Sequence, residues 1–304
     1  MKRAFPNADA SQIVPLEGGR SNASYRLRLC GLGDVVVRVY VRDPMTSRIE
    51  SGVLELLRGT VPVPEIIHAD LDAKPNPFII YQYVPGTTFR ELKRSRDRRA
   101  VAEASFATGR TLAIIGQRQF NGGTPLRADP AVFEGFLANG PDALPQFFSA
   151  CAASATLQRR IGSATVAKLL TVVGAWAPYT CELMSQPVLV HGDFSPANIV
   201  LRNDSNSWQV AAILDWEFAC GGSHLFDVGH FLRYESDQLP LLEPHFSSGF
   251  LAAGGRLPKD WRRLSRIVDL AGIAGGLTKA QLPAGADSEL HALLNATLDE
   301  CSAP

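Results

Sequence analysis

Short apolar runs separated by turn signals dominate the chain as far as Tyr83. Ser24–Leu29 and Val35–Val41 (V-V-V-R-V-Y-V) flank Gly31-Leu32-Gly33-Asp34, which predicts a hairpin. Ile49, Val53, Leu56 and Leu57 fall on one face of a helix predicted over Thr46–Arg58. Pro62 and Pro64 break that helix before a strand at Glu65–His68, and Phe78–Tyr83 predicts a buried strand ending at Pro85-Gly86. Beyond this point the period changes to that of helices. One is marked by Val101, Ala104, Leu112 and Ile115, a second by Leu264, Ile267, Val268 and Ala271, and a third by Leu290, Leu293, Leu294 and Leu298. Two apolar runs, Ile199–Leu201 and Ala211–Leu214, interrupt the helical half as short strands. Asn139–Gln146 and Pro283–Asp287 predict loops within the helical half, and no internal repeat or low-complexity tract is present. Strands followed by helices predict an α+β fold, divided into a strand-rich part at 1–84 and a mainly helical part at 85–304.

Composition narrows the function by exclusion. The 304 residues carry 30 basic and 30 acidic side chains, so no overall field recruits nucleic acid or an anionic membrane. Arg90–Arg99 holds six basic residues against Glu91 and Asp97, but no aromatic side chain interleaves them, which predicts a solvated helix face. The first residues lack the apolar stretch of a signal peptide, and no later run reads as the roughly 20 apolar residues of a spanning helix. Five scattered cysteines without a C-x-x-C pair argue against a disulfide framework and a zinc site. A cytoplasmic setting, where ATP is available, is the expectation.

The chemistry is concentrated in V-H-G-D-F-S-P-A-N-I-V-L at Val190–Leu201 and I-L-D-W-E at Ile213–Glu217. Asp193 precedes Asn198 by five positions, and Asp215 ends an apolar run. Phosphoryl transfer needs a carboxylate to accept the proton of the attacking hydroxyl, and an asparagine and a second aspartate to hold Mg²⁺. The protein-kinase pattern H-R-D-x-x-x-x-N followed by D-F-G has this order and spacing, with Gly192 here in the arginine's place. A buried carboxylate such as Asp215 is costly unless paired or metal-bound.

H-G-D-x-x-x-x-N followed by I-x-D-W-E resembles the aminoglycoside phosphotransferase and choline kinase-like family. That resemblance implies a bilobal protein-kinase-like fold, with a nucleotide-binding lobe at 1–84 and a catalytic and acceptor-binding lobe at 85–304. It implies Asp193 as the base, Asn198 and Asp215 as Mg²⁺ ligands, His191 as a brace of the catalytic loop and Asp227 as its tether. Glu217 is left between the metal shell and the acceptor cleft. Ser223-His224 depart from the Asp-Pro of many members.

Arg38 stands where kinases place a phosphate-pairing lysine, and Glu50 is its expected partner, with Glu55 as second choice. A competing expectation comes from Ser47-Arg48-Ile49-Glu50, which fits a capping box and would keep Glu50 at the helix start. The turn Gly18–Asn22 resembles the family's turn over the nucleotide phosphates, assigning Gly19, Ser21 and Asn22 to nucleotide binding, and Gln82 and Val84 fall at the hinge that faces adenine. The helix ending at Gly116 lacks the histidine that this family often carries there.

The implied activity is transfer of the γ-phosphate of ATP, with GTP possible, to a hydroxyl of a small molecule, an aminoglycoside-type antibiotic first. Alternatives are a metabolic kinase of the choline, sugar or homoserine type, and a catalytically weak nucleotide-binding interaction protein. The P-loop signature is absent, and no A-P-E segment follows Asp215, so P-loop and protein kinases are disfavoured. From Glu217 onward eleven Asp/Glu face seven Lys/Arg, a mild acidic bias toward a polycationic acceptor. Oligomeric state is not legible in the sequence.

Overall fold

The computed structural model describes residues 10–16, 22–29, 33–118, 142–205, 207–235 and 240–302. Its first half-domain is an antiparallel sheet of β1 (Ala10–Pro15), β2 (Ala23–Leu29), β3 (Gly33–Val39), β4 (Ile66–Asp70) and β5 (Phe78–Gln82), ordered β1-β2-β3-β5-β4. Helix α1 (Thr46–Leu57) crosses between β3 and β4. The valine-rich run of β3 makes it a strand, because branched side chains pack well on a pleated surface. Alternation then sorts its residues. Val35 and Val37 pack with Leu27, Leu29 and Ile80 on one face, whereas Val36 and Tyr40 pack with Ile79 and Tyr81 on the other. Arg38 shares the second face. It registers between Ser24 of β2 and Ile79 of β5, in the middle of the sheet, and is 6% exposed.

The predicted hairpin and α1 agree with the structure to within two residues. The hairpin's turn at 30–32 lies outside the described residues, and the apolar pattern alone does not delimit β1.

The remainder is mainly helical, as expected. It comprises β6 (Thr87–Thr88), α2 (Phe89–Arg94), α3 (Arg98–Ile115), α4 (Ala143–Ala153), α5 (Ala155–Met184), β7 (Val188–Val190), β8 (Ile199–Asp204), β9 (Ser207–Ile213) and β10 (Cys220–Gly222). Helices α6 (Leu225–Leu232), α7 (His245–Ala252), α8 (Trp261–Thr278) and α9 (Ala286–Glu300) complete it. Strands β6, β8 and β9 form one small sheet, and β7 pairs with β10.

Three local expectations need correction. Arg90–Arg99 is not one helix face. Arg96 adopts a left-handed φ of 59°, α2 closes before it, and α3 starts afresh on an Asp97 cap. Part of the expected loop at 139–146 is already helical, since α4 begins at Ala143, and its residues 139–141 lie outside the described ones. The expected loop at Pro283–Asp287 is likewise shortened by α9, which starts at Ala286.

Helix α5 escapes a periodicity reading because non-helical φ/ψ at Gly162 splits its 30 residues into two phases. By length and composition alone it could cross a membrane. In the fold its Leu157, Ile161, Leu169, Val173 and Trp176 enter the main core, and Trp176 Nε1 donates to the Cys301 carbonyl at 2.8 Å. That core also takes in Val53, Leu54 and Leu57 of α1, tying the sheet region to the helices below.

Candidate active site

The loop between β7 and β8 runs from His191 to Asn198 and is held from beneath. Asp227, in the first turn of α6, accepts from the His191 N–H at 2.7 Å and the Gly192 N–H at 3.0 Å. Burial pushes the Asp227 carboxyl up to about 7, against the pull of those two N–H groups. Gly192 has φ +82°, and a Cβ there would collide with the Phe218 carbonyl, so glycine is required in the arginine's place. His191 accepts the Asp193 N–H on Nδ1 at 3.1 Å and therefore donates Nε2–H to the Leu214 carbonyl at 2.8 Å. Burial lowers its pKa, partly offset by Asp193. A neutral ring with both nitrogens engaged is a brace, and the general-base role falls to another group. The Ser223-His224 departure leaves this geometry whole, since Ser223 Oγ accepts the Leu225 N–H and His224 faces the Arg256 carbonyl.

Asp193 sits at the loop's apex with its side chain 34% exposed, open to a ligand. Asn198 Nδ2 donates to its Oδ2 at 3.0 Å and to its carbonyl at 2.9 Å. His230 Nε2 lies 3.0 Å from its Oδ1. Burial would raise the Asp193 pKa, but the hydrogen bonds it receives from His230 and Asn198 hold it below the usual carboxylate range. Asp193 is therefore ionised at neutral pH and able to accept a proton. Both side-chain hydrogen bonds of Asn198 use its amide nitrogen, which leaves the side-chain oxygen Oδ1 for a cation.

The second cluster gathers around Arg38. Its Nη2 pairs with Asp215 and lies 3.4 Å from Glu217 Oε2, while its Nε is 3.1 Å from Glu50 Oε2. The last contact is off the hydrogen-bond line, so it is a charge pair. Tyr40, two residues along the same strand face, donates to Glu50 Oε2 at 2.6 Å. Asn22 donates to Glu217 and accepts the Val41 N–H at 3.2 Å. Glu217, whose place the sequence leaves open, thus belongs to this cluster.

Glu50 does not cap α1. Ser47 Oγ donates to the Pro44 carbonyl at 2.6 Å, no side chain caps the helix, and Glu50 is 2% exposed beneath Arg38. Glu55 pairs instead with Arg58 at 3.5 Å.

One guanidinium faces three carboxylates here. Burial, with the charges of Asp215 and Glu217, pushes Glu50 up to about 7 despite Arg38, and burial and Asp215 raise Glu217 as well. The surplus negative charge suits a divalent cation. Among the described residues no three His, Cys, Asp or Glu side chains are grouped to enclose a metal. Asp215 reaches the site in a left-handed conformation, φ 66°, a strained geometry of the kind that clusters at working positions.

Of the other expected nucleotide contacts, Gly19 and Ser21 lie outside the described residues. Gln82 gives its backbone N–H to the Glu65 carbonyl at 2.9 Å, so that donor is spent within the chain. Val84 lies two residues beyond the end of β5, where its backbone is not part of the β3–β5 ladder. Sequence reasoning missed His230 and Tyr40. A signal existed for the first: His230 follows Asp227 by three residues, which places both on one face of α6.

An antiparallel sheet holding a buried arginine–glutamate pair, followed by a mainly helical region with a carboxylate-bearing loop, is a kinase-like arrangement. The chain matches the model of the phosphotransferase enzyme family, APH, over residues 12–267 and belongs to that family. By that family it is a phosphotransferase. No curated protein sequence matches it.

Among solved structures, the GDP complex of a mutant aminoglycoside 2′-phosphotransferase-IIIa is similar at TM-score 0.71 and 16% identity, over 99% of this chain and 94% of that one. A thermostable mutant of aminoglycoside phosphotransferase APH(4)-Ia, apo form, gives TM-score 0.69 and 17% identity over 98% and 97%. The streptomycin–ATP–APH(2")-IIa ternary complex gives 0.63 and 14% over 99% and 93%. These likenesses carry the fold.

Proposed function

We propose that this enzyme transfers the γ-phosphate of ATP to a hydroxyl of an aminoglycoside-type antibiotic. The observation that carries the transfer chemistry is the Asp193 carboxylate, one-third exposed, ionised, and fixed by Asn198 at 3.0 Å and His230 at 3.0 Å. The acceptor class rests on the neighbours: complexes of APH(4)-Ia mutants hold hygromycin B with ADP or AMP-PNP, and that of APH(2")-IIa holds streptomycin with ATP. A GDP complex among them makes GTP a second candidate nucleotide.

In this reading Asp193 orients the acceptor hydroxyl and takes its proton late, because an alcohol is far too weak an acid to ionise first. Asn198, through its side-chain oxygen, and Asp215 would hold Mg²⁺, which would supply neutralisation of the charge on the transferring phosphoryl oxygens. Arg38 pairs with the phosphates and is itself oriented by Glu50. The turn containing Gly19, Ser21 and Asn22 covers the phosphates, and the segment at Gln82 and Val84 meets adenine. The nucleotide lobe comprises 1–84 and the catalytic and acceptor lobe 85–304, and the reaction takes place in the cytoplasm.

The experiment is a screen of Mg²⁺-dependent ATP and GTP consumption against aminoglycosides, other hydroxylated antibiotics, choline, sugars and homoserine. Acceptor-dependent turnover with an aminoglycoside supports the proposal. Turnover confined to a metabolic alcohol overturns the acceptor class and keeps the chemistry.

A further inference from the structure

Helix α6 does two things to the catalytic loop. Its Asp227 receives the loop backbone, and one turn later its His230 meets the loop's carboxylate, Nε2 to Asp193 Oδ1, at 3.0 Å. The other side of the His230 ring is also engaged. Its Nδ1 is 3.2 Å from Arg233 Nη2. A guanidinium has only donors and stays charged, so Nδ1 must be the acceptor in that contact. The ring hydrogen is therefore on Nε2, and His230 donates to Asp193.

Arg233 in turn is fixed by Asp269 of α8, with Nε to Oδ2 at 2.8 Å and Nη2 to Oδ1 at 2.5 Å. Both partners are buried or nearly so, at 10% and 5% side-chain exposure. A bidentate buried pair has one geometry, and this one is aimed at a single ring nitrogen. Asp269 Oδ1 stays 3.8 Å from that nitrogen, too far to compete as its hydrogen-bond partner.

We propose that His230 is a positioning residue for phosphoryl transfer, with Arg233 and Asp269 selecting the tautomer that grips Asp193. Asn198 takes one oxygen of Asp193 and His230 the other, so the carboxylate cannot rotate about its terminal bond. Each oxygen keeps a lone pair for the acceptor hydroxyl. The inference rests on Asp193 being the base. It adds that the orientation of that base is set by a chain reaching α8 and not by the catalytic loop alone.

The test needs only ATP and water. Slow Mg²⁺-ATP hydrolysis, with water in the acceptor's place, is measured for wild type, Asp193→Asn, His230→Leu and His230→Gln, together with AMP-PNP affinity. Gln carries a donor near the place of Nε2 and Leu carries none. His230→Leu is expected to lower kcat roughly 10- to 100-fold, the scale on which a misplaced group acts, with AMP-PNP affinity unchanged. His230→Gln is expected to recover most of the rate.

A His230→Leu enzyme within twofold of wild type, beside a dead Asp193→Asn, overturns the His230 inference and leaves the base intact. An active Asp193→Asn overturns the base itself. Nitrogen NMR of labelled histidine in the wild-type protein gives a second test that does not depend on either variant folding. Protonated Nε2 with bare Nδ1 is expected at His230, and the opposite tautomer contradicts the proposal.

Discussion

Glu50 Oε2 receives the Tyr40 hydroxyl at 2.6 Å and faces Arg38 Nε at 3.1 Å, so one carboxylate oxygen joins α1 to two residues of the central sheet face. If Arg38 orients phosphate and Glu50 orients Arg38, their losses overlap. Arg38→Ala and Glu50→Ala should each raise KM for ATP, and the double variant should be little worse than Arg38→Ala. Steady-state kinetics of the four proteins check this. Additive losses would mean that the two act separately.

The same pair gives a prediction about pH. Burial raises the Glu50 pKa to about 7 in the metal-free protein, above its ordinary value of 4.5. Between those values the folded chain holds a proton that the unfolded chain has released, so this group's contribution to stability falls as pH rises. Glu50→Gln removes the titration. In metal-free buffer the wild type should lose stability relative to Glu50→Gln from pH 5 to 8, read by denaturant unfolding. A difference constant with pH would mean that folding does not raise the Glu50 pKa.

Surplus negative charge around Arg38 separates the effects of two further substitutions. Asp215→Asn keeps a residue that tolerates the left-handed backbone and removes one carboxylate. It should leave the metal-free protein as stable as wild type or more so, while abolishing Mg²⁺-dependent nucleotide binding. Arg38→Ala leaves the buried carboxylates of Glu50 and Glu217, and the partly exposed one of Asp215, without their cation, a loss on the order of 3–5 kcal/mol. Thermal unfolding with and without Mg²⁺ reads both, and Mg²⁺ should protect Arg38→Ala more than wild type.

Asp227→Asn tests the tether. Its carboxylate accepts two backbone N–H groups, and an amide can accept only one while turning its own donors toward the other. The unsatisfied N–H should cost about 1–3 kcal/mol, read by chemical denaturation. The catalytic rate should fall with it, because the same N–H groups fix the loop that carries Asp193.

The motif residues were legible because chain order alone brings them together. Asp193 and Asn198 share one loop, and Asp215 follows the neighbouring strand. Arg38 was legible because a cation between valines on a central strand demands a partner. The choice between capping and pairing for Glu50 was not legible, because both need the same helix and differ only in where α1 meets β3. His230 was hidden for a related reason: its spacing from Asp227 has meaning only once α6 is known to lie under the loop. Helix α5 and the break at Arg96 were lost to single residues, Gly162 and Arg96, whose positive φ interrupts a pattern that otherwise reads straight through. The phosphate turn's Gly19 and Ser21 stand on sequence alone.

The central claim is that Asp193 is the base of phosphoryl transfer, and Asp193→Asn tests it most directly. The substitution keeps the shape and the nucleotide contacts and removes the proton acceptor. In a pre-steady-state assay with Mg²⁺-ATP and the acceptor found by screening, the transfer rate should fall by roughly 10²–10⁴, the usual scale of general-base catalysis, with ATP affinity unchanged. A folded Asp193→Asn protein that transfers phosphate at the wild-type rate would contradict the account.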